Sequence, residues 1–132
     1  MTGKRREMKK YALFNPASMT ELPACPVETT LLMIGDKWIV LILRDLMGGT
    51  KRFGELQKSL NGISQKVLTD KLRNMENRGM VSRTVYPEVP PRVEYTLTEF
   101  GRTLSPVLGA LANWGTEYKA KIAEGSVPVP TI

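Results

Sequence analysis

The stretch Lys37-Trp-Ile-Val-Leu-Ile-Leu-Arg-Asp-Leu-Met47 constrains the fold more than any other part of the chain. Eight of its eleven residues are apolar. It is too long for an ordinary buried strand and stops at Gly48-Gly49, so it reads as a core helix that neighbouring elements must cover. A chain of 132 residues has one domain of ordinary size with which to cover it.

The flanking segments supply that cover. Upstream, Cys25-Pro26 opens a helix, because proline suits the first helical position and Glu28 stands where a capping-box acid would. Val27, Leu31 and Ile34 recur at helical spacing, and Gly35-Asp36 closes the segment. Downstream come a short extended piece at Thr50-Lys51, a short helix over Phe53 to Leu60, and a turn at Asn61-Gly62. Ser64 then caps a helix that Gly79 ends as a left-handed residue. Its apolar side is Val67, Leu68, Leu72 and Met75; Lys66, Thr69, Asp70, Arg73 and Asn77 fall opposite, with Gln65 at the margin. Residues 81–86 and 92–97 are rich in β-branched and aromatic side chains and read as two strands around a stiff loop, Pro87-Glu-Val-Pro-Pro91. Thr98 caps a long final helix with Leu104, Leu108, Leu111, Trp114, Tyr118 and Ile122 as its apolar positions, kinked or restarted at Pro106.

The expected fold class is α+β, mainly α. Two short helices joined by a tight turn and followed by a hairpin form a winged helix-turn-helix, here with added N- and C-terminal helices. Residues 1–24 are expected to be a loose arm, with a short helix near Glu7 to Phe14. Residues 25–123 form the domain, and 124–132 a frayed tail.

Charge supports the same division. Of the net +6, residues 1–10 hold +4 and residues 51–92 hold +5, nine basic side chains against four acidic, while 11–50 and 93–132 come to −2 and −1. A basic block inside a folded segment suits a phosphate-facing surface, although charge alone equally describes a solvated face. With no His there is no Ser-His-Asp or Cys-His catalysis, and one Cys excludes an intrachain disulfide. Glu28, Asp36 and Asp45 are scattered and have capping or surface explanations, so no enzyme and no metal or cofactor is expected. The longest apolar run, Trp38 to Leu43, is far short of a membrane span, and the expected location is the cytoplasm.

Cys25-Pro-Val-Glu-Thr, Gly35-Asp-Lys-Trp-Ile39, Phe53-Gly-Glu-Leu56, Ile63-Ser-Gln-Lys-Val-Leu-Thr69, Leu72-Arg73 and Pro87-Glu-Val-Pro-Pro-Arg-Val-Glu-Tyr-Thr-Leu-Thr98 together resemble the HxlR-type, MarR-like bacterial transcription regulators. Gly101 and Trp114 fit as well, and the likeness runs from about residue 25 to residue 118. It implies a winged-helix homodimer on inverted-repeat operator DNA, with repression among its expected roles. It also implies an oxidant or small-molecule effector, sensed in some members through the Cys of the Cys-Pro motif.

The residues fit those roles chemically. On the Ser64–Arg78 helix, Gln65 suits adenine, Lys66 or Arg73 suits guanine or phosphate, and Ser64 and Thr69 suit phosphate or a thymine methyl. Lys51 and Arg52 stand where backbone phosphates would lie. Arg92 leaves the Pro90-Pro91 tip and is expected to enter a narrow minor groove. Cys25 sits at a helix start, where unpaired N–H groups and the helix dipole favour negative charge. As a small apolar residue with no sensing role, it would fit equally well. Leu108, Leu111, Trp114 and Tyr118 either cover the core or form a dimer seam. The competing function is a winged-helix protein-interaction module that binds no DNA.

Overall fold

The computed structural model describes residues 22–131. The N-terminal arm up to residue 21, with its basic cluster and expected short helix, lies outside the described residues. The order of elements is α1 (Pro26–Ile34), α2 (Lys37–Met47), β1 (Lys51–Arg52), α3 (Phe53–Ser59), α4 (Gln65–Asn77), β2 (Val81–Tyr86), β3 (Arg92–Leu97), α5 (Glu99–Arg102) and α6 (Ser105–Glu124).

Helix α2 is the core helix. Asp36 caps it, accepting from the N–H groups of Trp38 and Ile39. Ile39, Ile42, Leu43 and Leu46, spaced at i, i+3, i+4 and i+7, are buried against Leu56 and Leu60, against Leu68, Leu72 and Met75 of α4, and against the strands. Burying each such side chain is worth about 1.5–3 kcal/mol.

The sheet has the order β1-β3-β2, antiparallel throughout. The wing hairpin runs in unbroken register from Val81 opposite Leu97 to Tyr86 opposite Arg92, and β1 adds Lys51 opposite Tyr95 and Arg52 opposite Glu94. Two positive-φ glycines shape the helix pair. Gly62 (φ 93°) makes the turn between α3 and α4. Gly79 (φ 79°) ends α4 in a Schellman motif, its N–H donating to Glu76 O at 3.0 Å and that of Met80 to Met75 O at 2.9 Å.

One expectation about helix ends is corrected, and another is met by the restart at Pro106. Cys25 does stand at the N-cap of α1 with Pro26 first in the helix, but no side-chain capping bond forms there. The reach-back expected of Glu28 occurs in α3 instead, where Glu55 Oε1 accepts from the Arg52 N–H at 2.8 Å. The long final helix is two helices. Thr98 caps only the one-turn α5, accepting from Gly101 N at 3.0 Å, and α6 restarts with Pro106 in its first turn, where a missing N–H costs nothing. At the far end, Gly125 N donates to Ile122 O and Ser126 N to Lys121 O, and Tyr118 Oη donates to Pro128 O at 3.1 Å.

Candidate nucleic-acid interface

Helix α4 carries three faces, each set by its sequence spacing. Leu68, Leu72 and Met75 point into the core at 0–1% exposure. Val67, Asp70, Lys71, Asn74 and Arg78 line a cleft of about 640 Å³ against α1 and the start of α2. Gln65, Thr69, Arg73 and Glu76 turn towards the wing, lining a second cleft with Phe53, Arg83, Val93 and Tyr95. The last face presents the polar groups that sequence reasoning singled out.

The individual side chains differ in how free they are. Ser64 is occupied as the N-cap, its Oγ accepting from Val67 N at 3.1 Å, which leaves its O–H as a donor. Gln65 and Arg73 are exposed and Thr69 half-buried. Lys66 is exposed and tied to Asp70 at 3.0 Å, one turn on. A surface pair of this kind contributes little and yields readily to a phosphate. Arg52 is exposed and Lys51 half-buried, both on β1 immediately before α3. Arg52 borders the Gln65, Thr69 and Arg73 cleft through Phe53 and Val93, whereas Lys51 lines a separate hollow with Arg44, Asp45 and Glu55.

Arg92 does not follow expectation. Instead of projecting from the tip it is held within the wing, 3.3 Å from Glu88 and 3.5 Å from Glu94, with its guanidinium 4.0 Å above the Tyr86 ring. Alternation along β3 puts Glu94 on the same face as Arg92, and the tight loop returns Glu88 to it. The i, i+2 spacing of Arg92 and Glu94 was the available signal.

Sequence reasoning also missed the groups that hold α4 in place. Arg78 Nη1 donates to the carbonyl oxygens of Leu32 and Met33, the latter at 3.0 Å, closing the C-terminal end of α1. Burial lowers its pKa below the ordinary guanidinium value. Lys71 pairs with the second oxygen of the α2 cap, Asp36. Burial pushes the Asp36 carboxyl upward. The Lys71 hydrogen bond, the Ile39 and Trp38 N–H groups and the Lys71 charge outweigh that, holding the carboxyl below its ordinary value of 3.8. Both contacts join residues more than thirty positions apart, which no local pattern reveals. Glu76, three residues after Arg73 on the same helix, and Arg83 on β2 also line the wing-side cleft and were not singled out from the sequence.

The remaining candidates lie away from this surface. Cys25 is exposed at the start of α1. Leu108 packs partly against the core, whereas Leu111 and Trp114 are 51% and 66% exposed, and Trp114 stacks on Tyr118 at 5.2 Å. Among the described residues, no group of three or more His, Cys, Asp or Glu side chains is placed to hold a metal ion. No helix among them is long and apolar enough to cross a membrane.

A helix pair with one polar face turned outward, a three-stranded wing beside it and a basic flank define a winged helix-turn-helix DNA-binding protein. The chain belongs to the HxlR-like helix-turn-helix family, whose model matches residues 33–123. It is 50% identical over 105 residues to the HTH-type transcriptional regulator YdeP of Bacillus subtilis (strain 168), covering 80% of this chain and 82% of that one. The structure of the redox regulator HypR in its oxidized form matches with 47% identity and a TM-score of 0.67, over 70% of this chain and 96% of that one. The reduced form of the transcriptional regulator YodB from B. subtilis matches at 38% identity and a TM-score of 0.62, over 73% and 95%. The chain is a transcriptional regulator of the HxlR type and not an enzyme.

Proposed function

We propose that the protein is a homodimer that binds an inverted-repeat operator through α4, acting in the cytoplasm as a repressor. The observation that carries this is the outward stripe Gln65, Thr69 and Arg73, one helical turn apart and flanked by Lys66, on a helix whose other faces are committed to the protein. Ser64, Gln65, Lys66, Thr69 and Arg73 meet base edges and adjoining phosphates, and Lys51 and Arg52 meet the backbone. Leu108, Leu111, Trp114 and Tyr118 form the dimer seam, which sets the two copies of α4 about 34 Å apart, one turn of DNA.

The test is a fluorescence-anisotropy titration on a duplex selected by the protein from a random pool. Lys66→Ala and Arg73→Ala each cost about 1–3 kcal/mol where a base contact is lost. Unchanged binding by both at moderate salt removes α4 from the interface. A steep salt slope separates this reading from a protein-only module, which has none.

We also infer that Cys25 senses oxidants. It is exposed at a helix start, and two structural neighbours are described as a redox regulator and as diamide-treated YodB. Two thiols, one from each subunit or one from a small thiol, lose two electrons and two protons to an oxidant such as hypochlorite and form one disulfide. Hypochlorite or diamide therefore changes operator affinity in the wild type and leaves Cys25→Ser unaffected. Identical binding before and after treatment of the wild type excludes a thiol switch.

A further inference from the structure

The wing carries no net charge. Residues 81–97 hold Arg83 and Arg92 against Glu88 and Glu94, and Arg92 is committed to both carboxylates and the Tyr86 ring, with its side chain 27% exposed. What the tip presents is Val89, fully exposed at 101% between Glu88 and Pro90-Pro91. An apolar side chain held in open solvent on a proline-stiffened loop contributes nothing to the fold of this protomer.

Its position is continuous with the proposed DNA surface. Arg52, Gly54, Val89, Pro90 and Arg92 line a shallow depression that shares Phe53 and Val93 with the cleft containing Gln65, Thr69 and Arg73. A duplex seated on α4 thus extends over Arg52 towards the wing tip. There it meets valine and proline, with the wing's own Arg92 already neutralised by Glu88 and Glu94.

We infer that the wing tip is an apolar wedge that fits the minor groove flanking the α4 contact, with Val89 and Pro90 against the sugar walls. This rests on the DNA-binding reading above and identifies which wing residues make the contact. Arg92 is a positioning residue. By neutralising Glu88 and Glu94 it removes the repulsion that two carboxylates near the phosphates would cause. Lys51, Arg52 and α4 supply the phosphate neutralisation, so the wing senses groove width by fit rather than by charge.

The experiment titrates the full chain against the selected duplex at several salt concentrations and adds hydroxyl-radical footprints. Val89→Ser, on an exposed loop, leaves the melting temperature unchanged. It is expected to weaken binding about tenfold, the worth of one buried valine, and to leave the salt slope as in the wild type. Protection of the flanking minor groove is lost while that over the α4 half-site remains. The triple variant Glu88→Gln, Arg92→Gln, Glu94→Gln, which leaves no bare carboxylate beside the phosphates, is likewise expected to leave the slope unchanged. A slope reduced by about one phosphate in that variant overturns the inference, because Arg92 itself then contacts the DNA. Wild-type affinity and footprint for Val89→Ser, with Lys66→Ala weakened, overturn the wedge and leave the α4 reading standing. If Lys66→Ala and Arg73→Ala also bind as the wild type does, both readings fall.

Discussion

Helices α4 and α6 are built on opposite principles. In α4, four positions (Leu68, Leu72, Asn74 and Met75) are almost wholly buried, a flank is clipped to α1 and α2 by Arg78 and Lys71, and one face is left polar. Helix α6 is longer, at 20 residues, and has no buried residue at all, while Leu111 and Trp114 stand half or more exposed. Only its first turns, through Leu104, Val107 and Leu108, touch the core. Helix α1 repeats the pattern, with Ile34 buried and Val27 and Leu31 exposed at 65% and 56%. One chain suffices to fix α4. The described residues leave much of the apolar surface of α6 and α1 uncovered, which supports the proposed pairing with a second copy.

The sharpest way to break that contrast is to truncate one apolar residue in each helix. Leu72→Ala opens a cavity in a packed core at a residue 1% exposed, so it costs about 2–5 kcal/mol in chemical unfolding. Trp114→Ala removes a larger side chain that packs mainly on Tyr118. It leaves the protomer's own unfolding within about 1 kcal/mol, but costs about 2 kcal/mol or more in dimerisation, as central aromatic anchors do. Sedimentation at micromolar concentration reads the shift towards monomer. Equal loss of protomer stability in the two variants removes the distinction between the helices.

A smaller effect tests the flank of α4. Arg78→Met keeps the aliphatic stem but takes away the donors to the Leu32 and Met33 carbonyls, leaving the end of α1 without its cap. A loss of about 1–3 kcal/mol in thermal unfolding is expected. Full stability would mean that α1 is attached by its apolar contacts alone.

The sequence revealed periodicity and punctuation well, and side-chain partnerships across the fold poorly. The core face of α4 follows from the spacing of Leu68, Leu72 and Met75, and its ends from Ser64 and Gly79, because these signals are local. The outward stripe was legible for the same reason, being what remains once the core face is fixed. The split of the last helix was only half legible: Pro106 marks a break, but the one-turn α5 depends on Thr98 bonding both Gly101 and the Gly79 carbonyl across the fold. The ion pairs of Arg92 were not legible, because an arginine beside two prolines looks free until the hairpin register places Glu88 and Glu94 around it. Arg78 and Lys71 were invisible, since their partners lie on other helices.

The smallest expected effect concerns the other clip, between Lys71 and Asp36. The Asp36 carboxyl is held below its ordinary 3.8 in the folded protein, so folding favours its charged form. Its contribution to stability is therefore fully present above pH 3.8 and is lost as the pH falls through the lower, folded value. The group is about a third exposed, and solvent screening keeps the gain small. Asp36→Asn removes this term together with part of the α2 cap, so its unfolding midpoint differs most from the wild type at neutral pH and converges towards it under acid. Lys71→Met leaves only the two backbone donors to favour the carboxylate, which raises its pKa. In that variant the acid loss begins at higher pH than in the wild type. Denaturant midpoints measured from pH 7 down to pH 3 separate the two behaviours. A Lys71→Met profile parallel to the wild type throughout would show that the clip does not hold α4 against α2, and that the packing of Leu68 and Leu72 alone sets the angle at which the helix presents its polar face.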